Sequence, residues 1–391
     1  MLKAGLVALD TDGKWLGGRY YLQHLVKAVR TLPVSEQISL SDVWWQKKSA
    51  EDPFEEVRQH LGESTVVQFP TTLAGRLKRK VRRGLRGHAD ARDLFLEAGI
   101  DAVFPIRPCE APGVPFVFWL SDFQYRHMPD LFGDALCRWY EDYFAENVAA
   151  ADQVVVSSES ALNDMKLQFP EAILKTSVLR FCSIPDDCWF LRSPDEVAMK
   201  LGLGGKFFVL SNQFSHHKNH EVIFRAVQLL KAEGLEITVA CTGSTFGFRG
   251  QGYYEKLQEY IKQNSLEVNI RILGMLPREE QVALMRRSIG MLQPSAFEGW
   301  STVVEDAKTL GKIILVSDIA VHHEQLGLEH KYYLELSDPE AWARAMREVW
   351  RSGTEGSSPM DESKGRAHLD LAAPACGRSF ATAIRNAVAR R

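Results

Sequence analysis

What most constrains this chain is an alternation that occurs twice. Short apolar, β-branched runs fall at residues 4–9, 65–69, 102–106, 116–120, 153–156 and 178–181, each followed by apolar residues at helical spacing, such as Leu136, Trp139, Tyr140, Tyr143 and Val148. Runs that lack polar alternation are strands buried on both faces, which implies parallel sheets covered by crossover helices. From residue 184 to 205 the text turns irregular, with Pro185, Pro194, Gly202, Gly204 and Gly205. The pattern then resumes, with strands at 207–210, 237–240, 268–273, 290–292 and 313–316 and helices starting near Asn219, Tyr253, Pro277 and Ser301. The expectation is an α/β protein of two doubly wound domains, residues 1–190 and 191–365, with a C-terminal helical segment, 366–391, packing back on the first. Ligands of such sheets bind at the carboxyl ends of strands, so motifs should lie in the loops after them, with the site in the crevice between the domains.

Composition narrows the function classes. The 391 residues suit about two domains, and 45% apolar with 25% charged residues excludes a disordered or fibrous chain. A net charge of −3 argues against a surface built throughout for nucleic acid. Six cysteines, at 109, 137, 182, 188, 241 and 376, form no C-x-x-C pair, and the N-terminus has no signal-peptide pattern, so a reducing cytoplasm is expected. The longest apolar runs fall short of the roughly 20 residues that span a bilayer. Any membrane contact is expected to be peripheral.

No G-x-G-x-x-G follows Leu9, and Gly311-Lys312 precedes a strand, so dinucleotide and P-loop fingerprints are absent. Gly17-Gly18 precede a helix expected near Tyr20, where two glycines either admit an anion to backbone amides or simply make a turn. The strand at 207–210 runs into Ser211-Asn212-Gln213-Phe214-Ser215-His216-His217-Lys218-Asn219-His220. A lysine just before a helix opposes the macrodipole unless an anion lies between them; the other reading is a solvated lysine. His216, His217 and His220 lack a supporting carboxylate or cysteine spacing, so loop polarity is preferred to a metal site. After the strand at 290–292 comes Glu298-Gly299-Trp300-Ser301-Thr302-Val303-Val304-Glu305-Asp306-Ala307. Ser301 or Thr302 caps a helix whose amides are offered at Gly299, with Glu298 at the mouth. Helical spacing puts Val303, Val304, Ala307 and Leu310 on the buried stripe, Asp306 beside it and Glu305 on the opposite side.

This loop lysine, acid-Gly-aromatic turn and helix acid together resemble the GT-B glycosyltransferases of family 4, retaining bacterial enzymes that use sugar nucleotides. In that family the turn reads E-G-F-G, with a second Glu eight positions after the first; here Glu298, Gly299 and Gly311 match and Asp306 takes the second acid's place. Gly17-Gly18 matches the family's glycine-rich first loop. Phe118-Trp119-Leu120-Ser121-Asp122-Phe123-Gln124 with Pro129 is similar to the D-F-Q-H…P segment of polysaccharide-building members, and residues 154–160 match their V-V-S-S-E-S. Tyr125 stands where those relatives often carry His, and Gln213 replaces the arginine that usually accompanies the phosphate lysine.

The resemblance implies two Rossmann-like domains facing a central cleft. It implies Lys218, Glu298 and Asp122 as catalytic candidates. Lys218 and the amides of Gly17, Gly18, Gly299, Trp300, Ser301 and Thr302 would stabilise the departing diphosphate, Glu298 would hold sugar hydroxyls, and Asp122 would position the acceptor. Asp306 would hold the ribose, the backbone at Gly274 and Met275 the base, with Gln213 and Glu305 also on the donor side. No cofactor and no metal is expected beyond the nucleoside-diphosphate sugar, since Asp90-Ala91-Arg92-Asp93 is not spaced as a diphosphate-metal clamp.

Arg76, Lys78, Arg79, Lys80, Arg82, Arg83 and Arg86, with Leu73, Leu77, Val81 and Leu85 four apart, form the sharpest local charge. A cationic amphipathic helix of this kind lies on anionic lipid, each basic residue contributing roughly 1 kcal/mol. A solvated helix is the plainer reading, and nucleic acid is not expected without interleaved aromatics. The expected function is therefore transfer of a hexosyl group to a lipid-linked glycan acceptor at the inner face of the plasma membrane, in cell-surface polysaccharide synthesis of O-antigen type. A non-catalytic GT-B binding or scaffold protein and a sugar-nucleotide epimerase are the alternatives.

Overall fold

A computed structural model describes residues 1–7, 16–45, 52, 54–67, 95–105, 113–186, 188–245, 252–353 and 359–391. The chain divides into two units: residues 1–123, 135–182 and 371–391, and residues 124–134 and 183–370.

In the first unit, β1 (Lys3–Val7) leads to α1 (Leu16–Arg30), followed by β2 (Ser39–Trp45), β3 (Thr65–Val67), β4 (Ala102–Phe104) and β5 (Val117–Leu120). A short α2 (Gln124–His127), counted with the second unit, precedes α3 (Gly133–Ala150), β6 (Gln153–Val156), α4 (Glu159–Gln168) and β7 (Thr176–Val178). The strands are parallel in the order β3-β2-β1-β4, then β5-β6-β7, and a parallel bridge from Val103 to Phe116 joins the two sets. Tyr21 of α1 stacks on Trp119 of β5 with ring centroids 3.9 Å apart.

Three details differ from the reading of the sequence. β2 is an additional strand, hidden because Ser41 and Asp42 interrupt its apolar run; both are buried, and Asp42 Oδ2 is held by Arg58 at 2.6 Å and Ser64 Oγ at 3.0 Å. β7 ends at Val178 instead of starting there. Gly17 and Gly18 lie inside the first turn of α1, not ahead of it, because the helix begins at Leu16.

The second unit begins with α5 (Cys188–Leu191) and α6 (Pro194–Lys200). There follow β8 (Phe208–Ser211), α7 (His220–Ala232), β9 (Val239–Thr242), α8 (Tyr253–Gln263), β10 (Ile270–Gly274), α9 (Arg278–Arg287) and β11 (Gly290–Gln293). The unit continues with α10 (Thr302–Thr309), β12 (Ile314–Ser317), α11 (Ala320–Leu326), β13 (Tyr333–Leu334), α12 (Pro339–Ser352) and the long α13 (Pro359–Ala389). Six parallel strands take the order β10-β9-β8-β11-β12-β13. Strand order therefore reverses direction between β8 and β11, the point at which doubly wound sheets bind ligands.

Alternate side chains of each strand serve opposite faces. Phe208, Leu210, Leu292 and Leu315 pack with α7, α8 and α12, around Ile223, Leu257 and the fully buried Trp342. Phe207, Val209, Met291, Ile314 and Val316 pack with α6, α9 and α10, against Ala198, Val282 and Val304. Each such aliphatic side chain contributes about 1.5–3 kcal/mol on burial.

The C-terminal segment belongs to a helix that starts at Pro359. Its early turns press on the α10–β12 connection, since a Cβ on Gly365 would lie 2.0 Å from the carbonyl oxygen of Thr309. Residues from 371 onward are counted with the first unit, where Phe380, Ile384 and Ala387 are fully buried and a Cβ on Gly377 would meet the Ala28 carbonyl at 2.4 Å. Among the described residues, no helix is long and apolar enough to cross a membrane. Arg76, Lys78, Arg79, Lys80, Arg82, Arg83 and Arg86 lie outside the described residues.

Candidate active site

The switch point of the second unit carries the two loops that the sequence singles out. After β8 the chain makes a 3₁₀ turn at His216–Lys218, and Asn219, at φ 51°, adopts the left-handed conformation that its short polar side chain tolerates before α7 begins. After β11, residues 294–301 lead into α10. The two loops touch directly, the amide of Ala296 donating to the carbonyl of His217 at 2.7 Å.

Lys218 and Glu298 meet across this contact. Lys218 Nζ lies 2.5 Å from Glu298 Oε1, and both side chains are largely buried. The same carboxylate oxygen accepts from Gln293 Nε2 at 2.6 Å, and Gln293 Oε1 in turn accepts from Asn212 Nδ2 at 2.8 Å. Burial alone would push the Glu298 carboxyl up, but the Lys218 ammonium, through its charge and its hydrogen bond, and a hydrogen bond with Ser295 outweigh it and hold it below the ordinary range. Behind the pair sits His322, whose Nδ1 is 2.9 Å from the Ser317 carbonyl oxygen; burial pushes its pKa down to about 4, so the ring is neutral.

Ser301 is the N-cap of α10, its hydroxyl accepting from the Val304 amide at 3.4 Å, and Thr302 is the first helical residue. Gly299 and Trp300 are half-buried in the turn beside Glu298. The start of α10 is a helix N-terminus, an environment suited to an anion, although the Ser301 amide itself already donates to Gln325 Oε1 at 3.2 Å. Contrary to its expected place, Glu305 is not on a solvent side: it is 1% exposed, because α11 covers that face of α10. Gln325 Nε2 donates to Glu305 Oε1 at 2.9 Å and to the Ser301 carbonyl at 3.0 Å, tying the acid to the cap. Burial raises the Glu305 carboxyl despite Lys308 nearby.

Asp306 is wholly enclosed. Its Oδ1 receives Ser183 Oγ at 2.5 Å and Arg278 Nη2 at 2.5 Å. At the carboxyl edge of β9 and β10, the Gly243 amide donates to the Gly274 carbonyl at 2.9 Å. Gly274 has φ 69°, and Met275 next to it is exposed. Gly243 is obligatory: at φ 138°, a Cβ there would stand 2.2 Å from the Asn212 carbonyl oxygen. Gln213 is exposed between these loops.

In the first unit, Gly17 is exposed and Gly18 buried at the start of α1. Asp122 follows β5 and accepts from Ser121 Oγ at 3.2 Å; Tyr125, nearby in sequence, is buried in α2. The three loop histidines do not converge. His220 packs its ring 4.4 Å from that of Phe214, His216 lies over Tyr253, and His217 is buried. Among the described residues no group of three or more potential metal ligands forms. Sequence reasoning passed over Arg278, Gln293 and His322. Arg278 carried a usable signal: like Lys218, it is a cation at the start of a helix that follows a strand, against the macrodipole.

Residues 196–363 match the family model described as glycosyl transferases group 1. This segment is similar to a glycosyltransferase domain. The curated proteins give no match. Among solved structures, the chain resembles a glycosyltransferase from Rickettsia africae at TM-score 0.67 and 12% identity, covering 99% of this chain and 98% of that one. It also resembles Anabaena HepE in complex with UDP and glucose, at TM-score 0.61 and 18% identity over 100% and 98% of the two chains. WaaG, a glycosyltransferase involved in lipopolysaccharide biosynthesis, aligns at TM-score 0.61 and 15% identity over 98% and 99%. At such identities the likeness is one of fold, and the fold is the α/β, parallel-sheet GT-B type.

Proposed function

We propose that this chain is a retaining, family 4-like glycosyltransferase that moves a hexosyl group from a nucleoside-diphosphate sugar to a glycan acceptor. The observation that carries the reading is the Lys218–Glu298 pair at the switch point of the second unit, beside the capped start of α10. Negative charge grows on the diphosphate as the glycosidic bond breaks. Lys218 and the amides of Gly299, Trp300 and Thr302 are the donors for it, with Ser301 holding the helix start through Gln325, and loss of one such donor typically costs 10²–10³ in rate, about 3–4 kcal/mol. Glu298, kept ionised by its surroundings, accepts from hydroxyls of the transferred sugar. Asp306 takes the ribose and the backbone at Gly274 and Met275 the base. Gln213 and Trp300 border the donor, and Glu305 acts through Gln325 on Ser301. Gly17, Gly18 and Asp122 serve the reaction from the first unit, Asp122 on the acceptor.

HepE holds UDP and glucose, and WaaG takes part in lipopolysaccharide biosynthesis, which supports a nucleotide-sugar donor and a cell-surface glycan as acceptor. The basic segment from Arg76 to Arg86 supports a lipid-linked acceptor at an anionic membrane, with the protein peripheral to the inner leaflet.

The test is a panel of UDP-, GDP- and dTDP-sugars with glycan acceptors, read by release of nucleoside diphosphate and by the anomeric configuration of the product. An inverted product would refute retention. Sedimentation with anionic vesicles at low salt tests the membrane step; a protein that stays in the supernatant has a soluble acceptor. Gln213 and Tyr125 favour one second reading, a GT-B protein that binds nucleotide sugar without turnover. Calorimetric binding without release of nucleoside diphosphate, whatever the acceptor, would select it.

A further inference from the structure

Lys218 meets the diphosphate already paired with Glu298, and Gln213 adds no charge to its loop. A second cation stands at the same edge of the sheet. Arg278, the first residue of α9, has a 12% exposed side chain fixed on three sides. Nη2 donates to Asp306 Oδ1 at 2.5 Å, Nη1 donates to Gln281 Oε1 at 2.8 Å, and the guanidinium lies 4.5 Å from the Trp189 ring centroid. Gln281 Nε2 donates to Ser211 Oγ at 2.6 Å, so one side chain separates Arg278 from the end of β8, where the loop bearing Gln213 and Lys218 begins.

Asp306 is unevenly served. Oδ1 takes two donors, while Oδ2, equally buried, has no hydrogen-bond partner among the described residues. A buried carboxylate oxygen without a donor is costly and persists where a ligand completes the site. With Asp306 fully enclosed, a hydroxyl reaches it only if a neighbour moves. Ser183 is fully buried, whereas Arg278 borders solvent. A guanidinium taken off its carboxylate needs another anion, and a nucleoside diphosphate brings both a hydroxyl for Asp306 and an anion for the displaced arginine.

Resting on the donor site described above, we propose that Arg278 is the second cation of that site, held on Asp306 when the chain is empty and passed to the diphosphate when a ribose hydroxyl takes its place. The exchange makes the site selective for ligands that carry ribose and diphosphate together. Trp189 gives the guanidinium a face to pivot on.

The experiment compares UDP and GDP with uridine and guanosine, on the full chain and on Arg278→Gln and Arg278→Lys, by calorimetry for the diphosphates and ligand-observed NMR for the nucleosides. Arg278→Gln is expected to weaken the diphosphate by about tenfold or more, as for one lost charge-assisted bond, and to leave the nucleoside unchanged or tighter. Arg278→Lys should recover part of the diphosphate affinity. Equal weakening of nucleoside and diphosphate, or no change in the diphosphate, overturns the exchange. If Arg278→Gln does not fold, the lysine variant decides: a charge-dependent role predicts a diphosphate-to-nucleoside ratio nearer wild type than that of Asp306→Asn, and a ratio no better than that variant's overturns it. Failure of the unsubstituted chain to bind UDP or GDP, or an Asp306→Asn variant with unaltered nucleoside binding, would instead overturn the donor-site reading itself.

Discussion

Lys218 and Glu298, 80 residues apart in the chain, share a contact of 2.5 Å that neither could make without β8 and β11 lying side by side. The lysine both neutralises the glutamate and stands ready for an anion. Lys218→Ala should therefore lower kcat/KM by about 10²–10³. It should also move the acid limb of the pH–rate profile upward, because burial would then push the Glu298 carboxyl up with no ammonium to oppose it. Steady-state rates across pH check both effects, and an unmoved acid limb would deny the coupling.

Gly243→Ala should unsettle the carboxyl edge of the sheet. The added methyl would meet the Asn212 carbonyl at 2.2 Å, at a φ that L residues rarely adopt. The expected loss is about 2 kcal/mol or more, read from chemical denaturation, with a weakened response to UDP or GDP in the same samples.

His220 sets an acid limit. Buried against Phe214 and Tyr253, its imidazole has a pKa pushed down to about 3 by desolvation, so it stays neutral in the fold while the unfolded chain protonates it near 6.5. A lowered folded pKa on a base means stability is intact above the unfolded value and is lost as pH falls below it. Between pH 7 and pH 5 the loss from this one group is about 2 kcal/mol. His220→Phe should flatten that part of the stability profile; denaturation midpoints at the two pH values give the comparison.

Gly365→Ala should free the early turns of α13. A methyl group there has no room beside the Thr309 carbonyl, which lies 2.0 Å from where the Cβ would stand. Limited proteolysis is expected to cut near Pro359 in the variant sooner than in the unsubstituted chain, with a lower melting temperature.

Much of this architecture was legible because buried parallel strands leave an unmistakable apolar text: β6 and the start of α8 lie where the pattern puts them. β2 was not, since Asp42 inside it is held by Arg58 and Ser64, partners that no local pattern announces. Helical projection placed Val304 and Ala307 correctly but sent Glu305 outward. One stripe describes a helix covered on one side, and α10 is covered on two, with Gln325 receiving the acid. The loops of Lys218 and Glu298 were visible as chemistry out of place, a cation facing a helix start and an acid at a glycine turn. Arg278 carried the same mark, but its carboxylate partner, Asp306, lies 28 residues away on another helix, a pairing that no local pattern announces.

The burial of Phe380, Ile384 and Ala387 in the first unit has a consequence for biosynthesis. Phe380 sets its ring 5.0 Å from that of Phe104, so a hydrophobic centre begun by one stretch of chain is completed by another 276 residues later. On the ribosome the first unit must wait, part-built, until residues 371–391 have been made, while the strands from β8 to β13 already have all their partners. Maturation therefore runs against the direction of translation, and a nascent chain stalled before residue 371 would expose the unfinished half to chaperones and proteases.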